Sequence, residues 1–303
     1  LDGLKIGIYE HSSAGRDLYA ELFRTLGANV ISLGRSDEFV PIDTEAVADI
    51  DKKRAKDWSK DYNFDAIFST DGDGDRPLIS DENGDWLRGD IVGLLTAKLL
   101  GIEALAVPVS CNTAIEKSGF FKEVIRTRIG SPYVIEAFDK LKDYKSFAGF
   151  EANGGFLLGS SLVQDEKILQ TLPTRDALLP FMVLLSYIVK EKISLSKLVA
   201  NLPQRFSSSD RIQEFSSENS LKLLQKGKLN PESLVEVFGL KNFKVVDMNQ
   251  IDGLRLTLDN ENIIHLRPSG NAPELRCYVE TYNQDDSDNL VNQVLTCIRK
   301  IKL

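Results

Sequence analysis

The sequence predicts an α/β protein whose last third changes to an α+β pattern, and three observations carry that reading. Short apolar runs of strand length alternate with segments of helical period through residues 1–203. Two of these β/α cycles end alike, in a polar loop that contains glycine, which suggests an internal structural repeat. Over residues 204–303 the rhythm changes: strands follow one another, with amphipathic helices at either end. The predicted boundaries are therefore 1–87, 88–203 and 204–303.

Leu4 to Tyr9 is an apolar run broken by His11-Ser12-Ser13-Ala14-Gly15. Leu18, Leu22, Phe23 and Leu26 fall at helical spacing, and Gly27 is a natural stop. Val30 to Leu33 gives the next strand. A β-α-β opening builds a parallel sheet, and no Gly-x-Gly-x-x-Gly follows its first strand, which argues against a dinucleotide fold. A helix with Val47, Ile50 and Trp58 on one side leads to the strand Phe64 to Phe68, and Asp81-Glu82-Asn83-Gly84 reads as a hairpin turn. Asp90 is placed to cap a helix over 91–100. Strands are expected at 104–109, 123–127 and 146–150, and Ser131-Pro132 opens a helix carrying Val134, Ile135, Phe138 and Leu141. A long apolar helix over 176–191 precedes a polar link at 203–210, in which Ser207-Ser208-Ser209 reads as linker. Helices at 217–225 and 286–300 and strands at 243–247, 254–258, 263–267 and 275–281 complete the chain.

Composition narrows the function. With 303 residues, 42% hydrophobic and 27% charged, the chain is long enough for sizeable cores. Its formal charge, 37 − 45 = −8, comes without a basic run, which argues against a nucleic acid as partner. Cys111, Cys277 and Cys297 lack metal-site spacing and suit a reduced, cytoplasmic setting. No apolar run is long enough to cross a membrane. The chain begins at Leu1 rather than methionine, which fits a fragment of a longer protein.

Chemistry concentrates in three loops. In Ser69-Thr70-Asp71-Gly72-Asp73-Gly74-Asp75-Arg76, glycines 72 and 74 allow the backbone to bend so that Asp71, Asp73 and Asp75 converge on a cation. The donors are hard oxygens, as Mg²⁺ prefers, and Arg76 offers a fork suited to phosphate. An EF-hand is the rival reading: positions one, three and five are acidic and position twelve is Glu82. Position six, however, is Arg76 where glycine is needed, and a strand rather than a helix leads in. His265-Leu266-Arg267-Pro268-Ser269-Gly270-Asn271-Ala272-Pro273 is an anion cradle, with Arg267 and Ser269 as donors and Gly270 allowing close approach; taken alone it serves equally as a hairpin turn. Glu151-Ala152-Asn153-Gly154-Gly155 offers an acceptor and a donor for vicinal hydroxyls, or is a glycine-rich turn with a surface glutamate. Together the loops point to a phosphorylated sugar. His265, Trp58 and Trp86 read as packing residues.

These motifs, Asp71-Gly72-Asp73-Gly74-Asp75-Arg76, then Gly149 to Gly155, then Arg267 to Asn271, resemble in order the metal, sugar and phosphate loops of the α-D-phosphohexomutases, the phosphomannomutase and phosphoglucomutase family. The resemblance runs from near Gly3 to the end. It implies two repeated phosphoglucomutase-type α/β domains followed by an α+β domain resembling the TATA-binding protein, the second to fourth of a heart-shaped four-domain enzyme. It also implies a phosphotransferase that interconverts hexose 6-phosphate and hexose 1-phosphate, of mannose or glucose. A Mg²⁺-bound phosphoserine would donate its phosphate to give a hexose bisphosphate, which turns over in the cleft. By the same resemblance Asp71, Asp73 and Asp75 hold the metal, Arg76 faces the transferring phosphate, Glu151 and Asn153 read the sugar, and Arg267, Ser269, Gly270 and Asn271 take the distal phosphate. Arg128 falls where the family often has a lysine suspected of proton transfer; a guanidinium scarcely deprotonates, so electrostatic positioning is expected. Further departures are Asn153-Gly154-Gly155 where many members have Ser-Gly-His, and Gly270-Asn271-Ala272 in the phosphate loop. The family's N-terminal domain with its Ser-His-Asn-Pro nucleophile loop has no counterpart in this sequence, and His11-Ser12-Ser13 reads as a helix entry. A sugar-phosphate-binding protein without turnover and a calcium-binding module are the alternatives.

Overall fold

The computed structural model describes residues 1–270 and 272–301. It divides into two units, Leu1–Cys111 with Ile115–Pro203, and Asn112–Ala114 with Gln204–Leu303.

The first unit contains two sheets built on one plan. Its opening elements are β1 (Lys5–Tyr9), α1 (Arg16–Thr25), β2 (Asn29–Leu33), α2 (Asp49–Tyr62), β3 (Ala66–Thr70) and β4 (Pro77–Ser80). They form a sheet in the order β2-β1-β3-β4, with β1 parallel to β2 and β3, and β4 folded back antiparallel. Every residue of β3 is buried, as in a parallel strand covered on both faces. The second sheet draws on α3 (Gly89–Leu99), β5 (Ala104–Pro108), α4 (Ala114–Lys117), β6 (Glu123–Thr127), α5 (Ser131–Ala137) with a 3₁₀ turn at Phe138–Leu141, β7 (Phe147–Phe150) and β8 (Phe156–Leu158). A small hairpin, β9 (Leu162–Gln164) with β10 (Lys167–Leu169), leads to β11 (Leu172–Asp176), α6 (Leu178–Glu191) and α7 (Leu195–Ala200). Strand order is β11-β8-β7-β5-β6, again a parallel core with antiparallel returns at one side. The two sheets thus share one device: a parallel strand, a short loop, and an immediate antiparallel return.

Helix α6 helps to close the first unit. Phe181 stacks on Phe68 of β3 with ring centroids 4.7 Å apart and meets Phe23 of α1 edge-on at 5.1 Å. All three rings are fully buried.

The second unit continues with β12 (Phe206–Ile212), α8 (Ser217–Leu229), α9 (Pro231–Val237), β13 (Val245–Asn249), β14 (Leu254–Leu258), β15 (Ile263–Pro268), β16 (Leu275–Thr281) and α10 (Gln284–Lys300). Its sheet is antiparallel throughout, in the order β12-β16-β15-β14-β13. Alternate residues Leu254, Leu256 and Leu258, and likewise Leu275, Cys277 and Val279, join Leu223, Leu234, Val294 and Ile298 from the helices in one core, the pattern of a sheet with a single packed face.

Three local expectations are corrected. Ser207 to Ser209 is not linker but part of β12, which pairs along its whole length with β16. The strand tolerates serines because Ser208 Oγ has partners in α10: Ser287 Oγ at 2.8 Å, Gln284 Nε2 at 2.9 Å, and the Asp288 carboxylate. Asp90 does not cap α3; Arg88 occupies the cap position, and the buried Asp90 carboxylate pairs with its guanidinium at 3.3 Å. In α1 the inward face is Tyr19, Ala20 and Phe23, while Leu18 and Leu26 are exposed; in α2 Ile50 is exposed and Asp51, Ala55 and Ser59 face in. Trp58 and Trp86 do pack, the latter also donating to Asp51 O at 3.0 Å.

Because Phe181 touches two elements of the first unit at once, Phe181→Ala should destabilise that unit by about 3–5 kcal/mol, read as a lower urea midpoint with the second unit unaffected.

Candidate functional site

The acidic loop begins where β3 ends. Register pairing of Thr70 with Pro77 closes it, and Asp71 N donates to Arg76 O at 3.1 Å. Asp71 Oδ1 accepts from the backbone N–H groups of Gly74 (3.1 Å) and Arg76 (3.3 Å), and Gly74 takes φ +81°, a left-handed value that favours glycine. Burial pushes the Asp71 carboxyl above the usual carboxylate range; the neighbouring Arg76 pulls it down and Asp75 adds to the rise. Arg76 lies 3.6 Å from Asp71 Oδ2 and 3.8 Å from Asp75 Oδ1.

The expected convergence of Asp71, Asp73 and Asp75 is not what the loop shows. Among the described residues no group of three or more His, Cys, Asp or Glu side chains is gathered closely enough to hold a metal ion. Asp73 is exposed, while Asp71 and Asp75 each turn to their own donors, backbone N–H groups in one case and arginines in the other. The donor set nevertheless fits a hard divalent ion. It is all oxygen, and Asp75 Oδ1 is a buried carboxylate atom without a hydrogen-bond donor. The EF-hand reading fails on its last ligand: Glu82 Oε2 accepts from Ser196 N at 3.2 Å and Oε1 from Ser196 Oγ, at the start of α7.

The second loop repeats the first. Glu151 follows β7 as Asp71 follows β3. Its N–H donates to Gly155 O at 3.1 Å, Gly154 N donates back to Glu151 O at 3.0 Å, and Gly154 has φ +91°. Asn153 Oδ1 accepts from Gly155 N at 3.0 Å, and Thr44 Oγ1 donates to Asn153 O at 2.8 Å. Glu151 is buried, so its charge needs an answer.

Arg175, near the end of β11, supplies it. Its Nε donates to Glu151 Oε2 at 2.8 Å and its Nη1 to Asp75 Oδ2 at 3.1 Å, so that one guanidinium joins the acidic loop to the glycine-rich loop. Thr174-Arg175-Asp176 has no motif spacing; its one signal in the sequence is a cation just before Asp176, whose carboxylate accepts from Leu178 N at 2.9 Å at the start of α6. The stem of Arg175 also explains a glycine: a Cβ at Gly155 would lie 2.7 Å from Arg175 Cδ. Arg128, at the end of β6, is exposed; its guanidinium stands 5.7 Å over the Tyr133 ring in a cleft of about 330 Å³ that also includes Glu136 and Lys140.

In the second unit the phosphate-loop candidate spans the β15–β16 hairpin. Ser269 N donates to Glu274 O at 2.8 Å, and a Cβ at Gly270 would meet nothing within 4 Å. Asn271 lies outside the described residues. Arg267 is held by Asp252, Nε to Oδ2 at 2.9 Å, from the turn between β13 and β14, a residue that no sequence motif marks. His265 is buried beside it, stacked on Tyr278 at 5.3 Å, with Nε2 donating to Asp252 O at 2.6 Å.

Family comparisons bear on this arrangement. The phosphoglucomutase/phosphomannomutase α/β/α domain III matches residues 88–206, and the C-terminal domain of the same family matches 224–296. The chain belongs to the phosphoglucomutase/phosphomannomutase family. It is 56% identical over 300 residues to a phosphomannomutase of Salmonella muenchen, covering 99% of this chain and 62% of that one. A phosphomannomutase of Sinorhizobium fredii is 43% identical over 303 residues, with 98% and 63% covered. The chain thus spans about three fifths of the length of these relatives. The fold matches that of an Aspergillus fumigatus N-acetylphosphoglucosamine mutase, solved with GlcNAc-6P and magnesium, at a TM-score of 0.64 and 16% identity, covering 98% of this chain and 66% of that one. Membership in this family agrees with the α/β fold, and no helix among the described residues is long and apolar enough to cross a membrane.

Burial lowers the His265 pKa to about 4, against the Asp252 carbonyl, which raises it; Arg255 lowers it, the Asp252 charge raises it, and Arg267 lowers it. The folded state therefore excludes a proton that the unfolded chain binds below its ordinary value of 6.5. His265 contributes stability that is full above about pH 6.5 and is lost as pH falls toward 4, about 3 kcal/mol in all. Urea unfolding of the second unit between pH 7 and 4 should show that loss, and His265→Gln should remove its share of the slope.

Proposed function

We propose that this chain is the metal-, sugar- and phosphate-binding part of a phosphohexomutase that interconverts hexose 6-phosphate and hexose 1-phosphate, of mannose or glucose, through a hexose bisphosphate. The observation that carries the reading is the guanidinium of Arg175 joining the acidic loop to the glycine-rich loop, which makes one polar site of two motifs 80 residues apart in sequence, as counted from Asp71 to Glu151. Two phosphomannomutase relatives support it. The phosphoserine nucleophile would come from an N-terminal domain outside these 303 residues, with 1–87, 88–203 and 204–303 as the second to fourth domains of a cytoplasmic enzyme.

Each loop then has a distinct task. Asp71, Asp73 and Asp75 would hold Mg²⁺, which when bound supplies positive charge against the transferring phosphoryl oxygens; magnesium accompanies the sugar phosphate in the Aspergillus fumigatus mutase. Arg76 faces the same phosphoryl group with its planar fork. Glu151 accepts from a sugar hydroxyl, and Asn153, whose Oδ1 is spent on Gly155 N, donates from Nδ2. Arg267, Ser269, Gly270 and Asn271 take the distal phosphate, with Asp252 fixing Arg267. Arg128 contributes position and field rather than proton transfer, since its guanidinium keeps its proton. Such reactions depend on orientation and charge neutralisation, which is what these residue types provide.

Two measurements test the proposal. Mannose 1-phosphate and glucose 1-phosphate, with a trace of glucose 1,6-bisphosphate, should be turned over by a chain extended to the length of the relatives and not by the 303 residues alone. Equal turnover by both would contradict an upstream nucleophile; binding without turnover by either would indicate a sugar-phosphate-binding protein. By calorimetry, Arg267→Gln should weaken mannose 1-phosphate binding roughly 10- to 100-fold, the worth of a hydrogen bond to a charged group. In the same assay Asp75→Asn should lower Mg²⁺ affinity.

A further inference from the structure

Arg175 has five N–H donors. Nε goes to Glu151 and Nη1 to Asp75, and among the described residues neither Nη2 of Arg175 nor Oε1 of Glu151 takes part in a hydrogen bond. A carboxylate oxygen and a guanidinium nitrogen held together in this way, one an acceptor and the other a donor, are the pair that a vicinal diol needs. The arrangement is also exclusive. A Cβ at Gly155 would stand 2.7 Å from Cδ, 3.0 Å from Cγ and 3.2 Å from Nε of Arg175, so position 155 must lack a side chain for the guanidinium to reach Glu151 along this path. Gly155 does not have a positive φ, so it is the space and not the backbone that calls for glycine there.

We infer that Arg175 is the positioning residue for hydroxyl recognition: it fixes Glu151 in the glycine-rich loop, completes a donor–acceptor pair for two adjacent sugar hydroxyls, and requires glycine at 155. The inference rests on the hexose-phosphate reading above and adds a residue and a spatial rule to it. The side chain of Arg175 is 22% exposed and that of Glu151 4%, so removing the guanidinium leaves a buried carboxylate without its partner while a path to the ligand stays open.

Calorimetric titration of the full chain with mannose 1-phosphate and, separately, with inorganic phosphate separates recognition from folding. Arg175→Gln should weaken mannose 1-phosphate at least about 10-fold and leave inorganic phosphate within about two-fold. Arg175→Lys, which keeps the charge but loses the fork, should recover part of the loss. Gly155→Ala should reproduce the effect of Arg175→Gln by displacing the stem, and the double variant should be no worse than either single one, since both break the same contact. Wild-type binding of mannose 1-phosphate no tighter than inorganic phosphate would overturn the hexose reading and this inference with it. With wild-type selectivity intact, unchanged affinity in Arg175→Gln, an equal loss for both ligands, or additive losses in the double variant would overturn the inference alone.

Discussion

A carboxylate placed at the carboxyl end of a buried strand must have its charge answered, and the first unit is arranged around that requirement. Asp71 and Glu151 stand directly after β3 and β7, in each case with the backbone folded back on itself within a few residues. Burying an unpaired ion costs far more than a typical side-chain contact returns, so each loop recruits compensation from its surroundings. Asp71 takes two backbone N–H groups; Glu151 takes Arg175. The same arginine reaches Asp75, which makes the two solutions interdependent.

The shared construction explains why charged side chains collect at these loops. Parallel strands buried on both faces leave only their ends for polar side chains. An antiparallel return immediately after the loop pins both of its ends: Thr70 lies opposite Pro77 and Phe150 opposite Phe156, and just inside them Asp71 N donates to Arg76 O and Glu151 N to Gly155 O. Side chains between two such pins are held by the frame.

The second unit solves a related problem by other means. Its sheet is antiparallel with one packed face, so the β15–β16 hairpin that carries Arg267 is supported from the side by the β13–β14 turn. Asp252 uses both its side chain and its backbone there, the carboxylate on Arg267 and the carbonyl on His265. A buried histidine whose pKa is lowered by burial adds no second positive charge beside Arg267 near neutral pH.

Much of this was legible in the residues alone. Strand-length apolar runs such as 104–108 and 123–127, helix entry at Ser131-Pro132, and the acidic, glycine-rich and arginine-serine loops follow from local rules of periodicity, backbone freedom and side-chain chemistry. Three things were not. The serine-rich 207–209 stretch forms a strand only because α10 brings hydroxyl and carboxylate partners to it. Which face of α1 turns inward depends on what is packed there, so Tyr19 and Ala20 are buried while Leu18 is exposed. Arg175 and Asp252 are ordinary charged residues until β11 and the β13–β14 turn bring them to a carboxylate and a guanidinium far away in sequence. The sequence by itself determined the type of the strongly patterned elements, though not of β8 to β12, α7 or α9, and the chemical character of each loop, because those depend on neighbours along the chain. Tertiary structure decided which charges meet, because a salt bridge acts over a few ångströms of space and takes no account of the separation of 24 positions in sequence from Glu151 to Arg175.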